Sequence, residues 1–179
     1  MKIVKFLAKT IAIFALVVVM GFASIMAFVW ASFTFGMGAV EKKPWNDVLA
    51  QALNIQTDGG VEEEYIETHG GFLGDGLTYI RVDCSGTNFE ALVAEKGGWR
   101  ETPLTENIHT TLYGDEEWQG IKYSYDFLLP EVESGYYYFL DRQSDSFDDV
   151  DLMNRASFNF TFALYDADED VLYFVKFDT

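Results

Sequence analysis

Two histidines, His69 and His109, and one cysteine, Cys84, are the side chains best suited to act as base, nucleophile or soft metal ligand in this chain of 179 residues. A reactive thiolate needs a base or cation beside it. Cys84 instead shares a strand face with Ile80 and Val82, the alternation of a core-facing strand, so it reads as a buried core thiol. The histidines lack the H-E-x-x-H spacing that puts two zinc ligands on one helix face. There is no G-x-S-x-G elbow and no G-K-[ST] phosphate loop. No catalytic residue, metal ligand or cofactor is therefore assigned. Two acidic runs, Asp145–Asp151 and Asp166–Asp170, have the ligand type calcium prefers. The second matches the first ligand positions of an EF-hand loop but has Val171 where the loop needs glycine and Phe177 where it needs glutamate, so both are expected to be solvated turns.

The stretch His69–Gly76, HGGFLGDG, has four glycines in eight residues. Glycine lets a backbone take angles that other residues resist and lets a partner approach closely. His69, Gly70, Gly71, Gly74, Asp75 and Gly76, with Tyr79 as a neighbouring exposed aromatic, are therefore the candidate binding surface. This motif, the LTYIRVDCS that follows it and the later WRETPLTENI run resemble a group of small membrane-anchored bacterial proteins of no assigned activity. Their glycine motif is similar to HGGFHGDG; this chain has Leu73 in place of the second histidine. The resemblance spans about His69 to Ile108 and implies no reaction.

These residues must be held by elements whose periodicity is legible. Trp45, Val48, Leu49, Ala52 and Leu53 form the apolar stripe of a short helix opened by Pro44. Glu62–Thr68 and Leu77–Cys84 read as strands flanking the glycine stretch. Thr87 with Glu90 has the capping-box spacing for a helix that Gly97-Gly98 stops, and Thr105–Tyr113 reads as another. Ile121, Tyr123, Tyr125 and Phe127 alternate with polar residues, as do Phe158, Phe160, Phe162 and Leu164; Tyr136–Leu140 and Val171–Phe177 complete a strand-rich final third. The fold class expected is α+β: an antiparallel sheet domain with two or three short helices on one face.

From Thr10 to Val40 the chain has no Asp, Glu, Lys, Arg or His. About 20 apolar residues suffice for a helix to cross a bilayer core of roughly 30 Å. The run is too long for the apolar region of a cleaved leader, although Val29-Trp30-Ala31 could pass as a cleavage site. Residues 1–9 are expected to be a basic cytoplasmic terminus and 10–38 a transmembrane helix. Residues 39–60 would be a juxtamembrane linker with an amphipathic helix, and 61–179 an extracytoplasmic α+β domain. Lys2, Lys5 and Lys9 precede the span, while Glu41 offsets Lys42 and Lys43 after it, which favours an outside C-terminal domain. Residues 1–43 hold five lysines against Glu41, a net +4; the remainder holds seven basic against 28 acidic residues, a net −21. Nucleic acid is excluded as a partner on this charge. The expected partners are membrane lipid, through the helix, and a protein at the cell envelope. The function expected is an interaction or accessory module. The alternatives are an envelope hydrolase or metal-dependent enzyme, which a convergence of His69, Asp75 and His109 would favour, and a glycan-binding module, which an exposed row of aromatics on one sheet face would support.

Overall fold

The structure, a computed structural model, describes residues 14, 16–30, 42–56, 59–70, 74–117 and 119–179. The chain sorts into two compact units. The first contains α1, the helical residues 16–30, and, among the described residues, also Gly70. α1 is largely apolar and exposed, with Phe22, Phe28 and Trp30 each at least 66 % accessible. Among the described residues no helix is long and apolar enough to cross a membrane. The transmembrane helix expected over 10–38 lies partly outside the described residues. At 1.5 Å rise per residue, the described part spans about 22 Å.

The second unit is built on six antiparallel strands: β1 (Val61–Glu67), β2 (Gly76–Asp83), β3 (Trp99–Glu101), β4 (Gly135–Asp141), β5 (Asn159–Asp166) and β6 (Val171–Asp178). Their order across the sheet is β1-β2-β6-β5-β4-β3. Two hairpins, β1-β2 and β5-β6, meet along the β2–β6 pairing, where Ile80 faces Phe174 and Thr78 faces Lys176. The helices are α2 (Trp45–Leu53), α3 (Phe89–Glu95), α4 (Glu106–Tyr113) and α5 (Ile121–Tyr125), with a 3-10 turn at Leu152–Asn154.

Helices cover both faces of the sheet, not one. On one face Leu77, Tyr79, Phe160, Phe162, Val175 and Phe177 form a core with Ile108 and Leu112 of α4, Ile121 of α5, and Leu152. On the other, Ile80, Val82, Ala163, Tyr165 and Phe174 pack against Leu49 and Leu53 of α2 and Phe89 and Val93 of α3. The reason lies in the central strands. The residues between the large apolar ones in β5 are Thr161, Ala163 and Tyr165, none more than 2 % exposed, so the alternation marks two unequal dry faces rather than one wet face.

A second difference concerns Ile121–Phe127, which alternates like a strand but forms the short helix α5. Gly120 precedes it at φ +74, packed so tightly that a Cβ there would lie 2.5 Å from the Gly114 nitrogen, and Asp126 ends it in the left-handed region. Ile121 is buried and Tyr123 is 58 % exposed, so the helix buries one side of a segment whose β propensity the surrounding packing overrides. The edge strand β3, three residues beside Tyr136–Tyr138, falls in a stretch with no strand signal in the sequence.

Candidate functional site

The face covered by α2 and α3 is not covered along its whole length. Past Ile80 and Phe174 the strands run on beyond the helices, and the side chains there become polar. In register across five strands stand Glu67 on β1, Thr78 on β2, Lys176 on β6, Thr161 on β5 and Leu140 on β4. A cavity of about 730 Å³ opens above this row. α2 contributes Val48, Gln51 and Ala52 to one wall, and His69, Arg142 and Asp178 line the end of the sheet.

His69 is the centre of an ordered polar network. Its Nδ1 lies 2.5 Å from Glu67 Oε1 and its Nε2 lies 2.9 Å from Asp178 Oδ2. Its backbone N–H also donates to Glu67 Oε1 at 2.9 Å. The other Glu67 oxygen accepts from the Thr78 hydroxyl at 2.8 Å. Asp178 Oδ1 accepts from Arg142 Nη2 at 2.5 Å, and Lys176 Nζ lies 3.3 Å from Oδ2. Arg142 Nη2 is held in place by the carbonyls of Phe160 and Phe177 at 3.2 and 2.9 Å. Burial opposes the charge on Asp178, but the hydrogen bond and charge of Arg142, helped by Lys176 and His69, outweigh it and hold the carboxyl below the usual aspartate range.

Local chain geometry puts His69 there. Thr68 closes the β1-β2 hairpin: its N–H donates to the Leu77 carbonyl at 2.9 Å and its hydroxyl accepts from the Leu77 N–H at 2.7 Å. Gly76 lies against the next residue so closely that a Cβ would sit 2.6 Å from the Cα of His69. Gly76 is thus glycine because His69 occupies the space a side chain would need.

Of the residues expected from sequence to form a binding surface, His69 and Gly74 line the cavity. Asp75 is exposed, and Gly76 supports His69 from below. Gly70 is exposed and belongs to the first unit, and Gly71 lies outside the described residues. Tyr79 requires a correction. It is fully buried on the opposite face, its ring 4.8 Å from that of Phe127, and its hydroxyl donates to the Leu128 carbonyl at 2.7 Å. The β2 alternation puts Tyr79 with Leu77, in the core that α4 and α5 cover.

The candidate catalytic groups do not meet. His109 is on α4, on the other side of the sheet, 3.4 Å from Glu131 and stacked on Tyr113 at 4.8 Å. Cys84 is fully buried, and burial pushes its thiol up to about 12, with Asp170 and Asp83 adding to the shift. Among the described residues, no three His, Cys, Asp or Glu side chains are grouped to hold a metal. The acidic turns have internal partners: Asp166 Oδ1 accepts from the N–H groups of Asp168 and Glu169, and Asp149 accepts from the Thr105 hydroxyl. The tyrosines of the sheet do not form an exposed row; Tyr79, Tyr137, Tyr138, Tyr165 and Tyr173 are all at most 7 % accessible.

Sequence reasoning missed Glu67, Thr78, Arg142, Thr161, Lys176 and Asp178. One signal was present: Lys176 is the single cation in VLYFVKFD, a strand otherwise apolar up to its final aspartate. No family model matches the chain, and the searches of curated proteins and of solved structures give no match to it.

Proposed function

We propose that this chain is a single-pass, membrane-anchored extracytoplasmic module that binds a partner or ligand at the cell envelope and catalyses no reaction of its own. The observation that carries the binding side of this reading is the cavity beside His69. It is a concave site of ordinary ligand size, with a few convergent polar groups on a rigid sheet and an apolar wall from α2. The separation of His69 from His109 and the sealing of Cys84 favour binding over catalysis. The anchoring side rests on the uncharged run 10–40 and on the exposed apolar surface of α1, of a kind soluble domains rarely leave in water. The likeness of HGGFLGDG to the membrane-anchored group accords with the same reading.

Fractionation of cells expressing the full chain tests it. The chain is expected to sediment with membranes, to resist high salt and alkaline carbonate, and to be released by detergent. Recovery in the soluble fraction without detergent would refute anchoring. Capture of envelope proteins on the purified chain, repeated with His69→Ala and Asp75→Ala, tests the surface; partners unchanged by both substitutions would count against it.

A further inference from the structure

The carboxylates of the cavity are occupied, and its cations outnumber them. Glu67 has both oxygens engaged, one by His69 and one by Thr78. Asp178 has both engaged as well, by Arg142 on one side and by His69 and Lys176 on the other. Lys176 is different. An ammonium has three donors, and its one ion pair among the described residues is the 3.3 Å contact to Asp178. It stands at the middle of the sheet row, flanked in register by Thr78 and Thr161, each about 4.8 Å away across the strands. Those threonines are 4 % and 2 % exposed, so on its two flanking strands the ammonium has buried hydroxyl-bearing neighbours. Lys43 lines the same cavity. Lys43, Arg142 and Lys176 line the cavity with two carboxylates, Glu67 and Asp178, a formal surplus of one positive charge in a domain whose net charge is strongly negative. The α2 wall, Val48 and Ala52 with Gln51, and Leu140 at the β4 end of the row offer no charge at all.

We propose that this cavity binds a small organic monocarboxylate, its carboxylate on the Lys176 ammonium and the Thr161 hydroxyl, its short apolar body against Val48, Ala52 and Leu140. This rests on the binding reading above and names the ligand class for the same site. A monoanion matches the surplus charge, whereas a dianion such as phosphate would leave excess negative charge next to Glu67 and Asp178. The apolar wall selects against a bare inorganic anion, because it gains only from burying hydrocarbon. Arg142 acts as a positioning residue: its Nη2 is committed to two carbonyls and to Asp178, which fixes the carboxylate that orients Lys176.

The test is a titration of the isotope-labelled full chain in zwitterionic detergent with hexanoate, hexanamide and inorganic phosphate, followed by amide shifts. Hexanoate is expected to move Thr78, Thr161 and Lys176 saturably, with hexanamide and phosphate at least tenfold weaker. Lys176→Met is expected to weaken hexanoate at least tenfold, while Lys176→Arg retains it. Lys122→Met, on α5 at the other face, leaves it unchanged and reports that the fold is intact. Equal responses to hexanoate and hexanamide, tighter binding of phosphate, or an unaffected Lys176→Met protein would overturn the assignment. Loss of this assignment with partner capture still sensitive to His69→Ala would leave the binding module standing; loss of both would remove that reading too.

Discussion

Gly76 and His69 show how one missing side chain sets a site. Because a Cβ at Gly76 would sit 2.6 Å from the His69 backbone, Gly76→Ala is expected to push His69 off Glu67 and Asp178 and to destabilise the unit by about 1–3 kcal/mol. Urea melts and the ring resonances of His69 check it; an unshifted ring with unchanged stability would contradict the packing described. Asp178 and Asp141 carry a pH dependence. For each, burial raises the carboxyl but is outweighed, by Arg142 for Asp178 and by Arg155, Ser144 and the Gln143 amide for Asp141, so both lie below the ordinary value of 3.8. The unfolded chain therefore takes up these protons at higher pH than the folded one does. The stability they contribute is complete above about pH 5 and is lost as pH falls through the folded values. Replacing Asp178 by Asn is expected to flatten the acid limb of the stability profile, and an unchanged limb would contradict the coupling to Arg142. Cys84, with no exposed surface and a thiol pushed up to about 12, is expected to resist iodoacetamide at pH 8 until the protein is unfolded. Fast labelling of the native chain would contradict its burial.

At the scale of elements, α2 performs two tasks. Leu49 and Leu53, 1 % and 3 % exposed, fix it to the sheet, and Val48 and Ala52 then stand as the cavity wall. Leu53→Ala is expected to cost about 2–5 kcal/mol and to weaken any ligand that leans on that wall; a thermal midpoint within error of the parent would contradict the packing. The Trp45–Leu53 stripe was legible because a helix must bury one face at a period near 3.6, and that period survives in sequence. The β1-β2 and β5-β6 hairpins were legible for the matching reason at period 2. Ile121–Phe127 misled because its four alternating apolar residues were too short a run to outweigh Gly120 and Asp126 at its ends. The second layer of helices was hidden in β5, where Ala163 looks like part of an outer face but is a small residue under cover. The site followed the same division. His69 was visible as an unusual residue in a glycine stretch, whereas Arg142, Thr161 and Asp178 reach it only through the β5–β6 register and the pairing of β2 with β6, contacts between segments far apart in the chain.

At the scale of the whole molecule, the uncharged run 10–40 precedes a strongly acidic sheet domain stabilised by two apolar cores and no disulfide. An acidic surface is repelled by anionic headgroups, so in the proposed reading lipid contact is assigned to the apolar N-terminal run. Tyr123, 58 % exposed on α5, and Cys84, fully buried, provide a direct reporter of where the domain resides. In spheroplasts expressing the full chain with Tyr123→Cys, a membrane-impermeant maleimide is expected to label the new thiol as completely as after lysis, while the parent chain with Cys84 alone stays unlabelled. Labelling of Tyr123→Cys only after lysis would place the sheet domain inside the cell and contradict the anchored, outward-facing binding module.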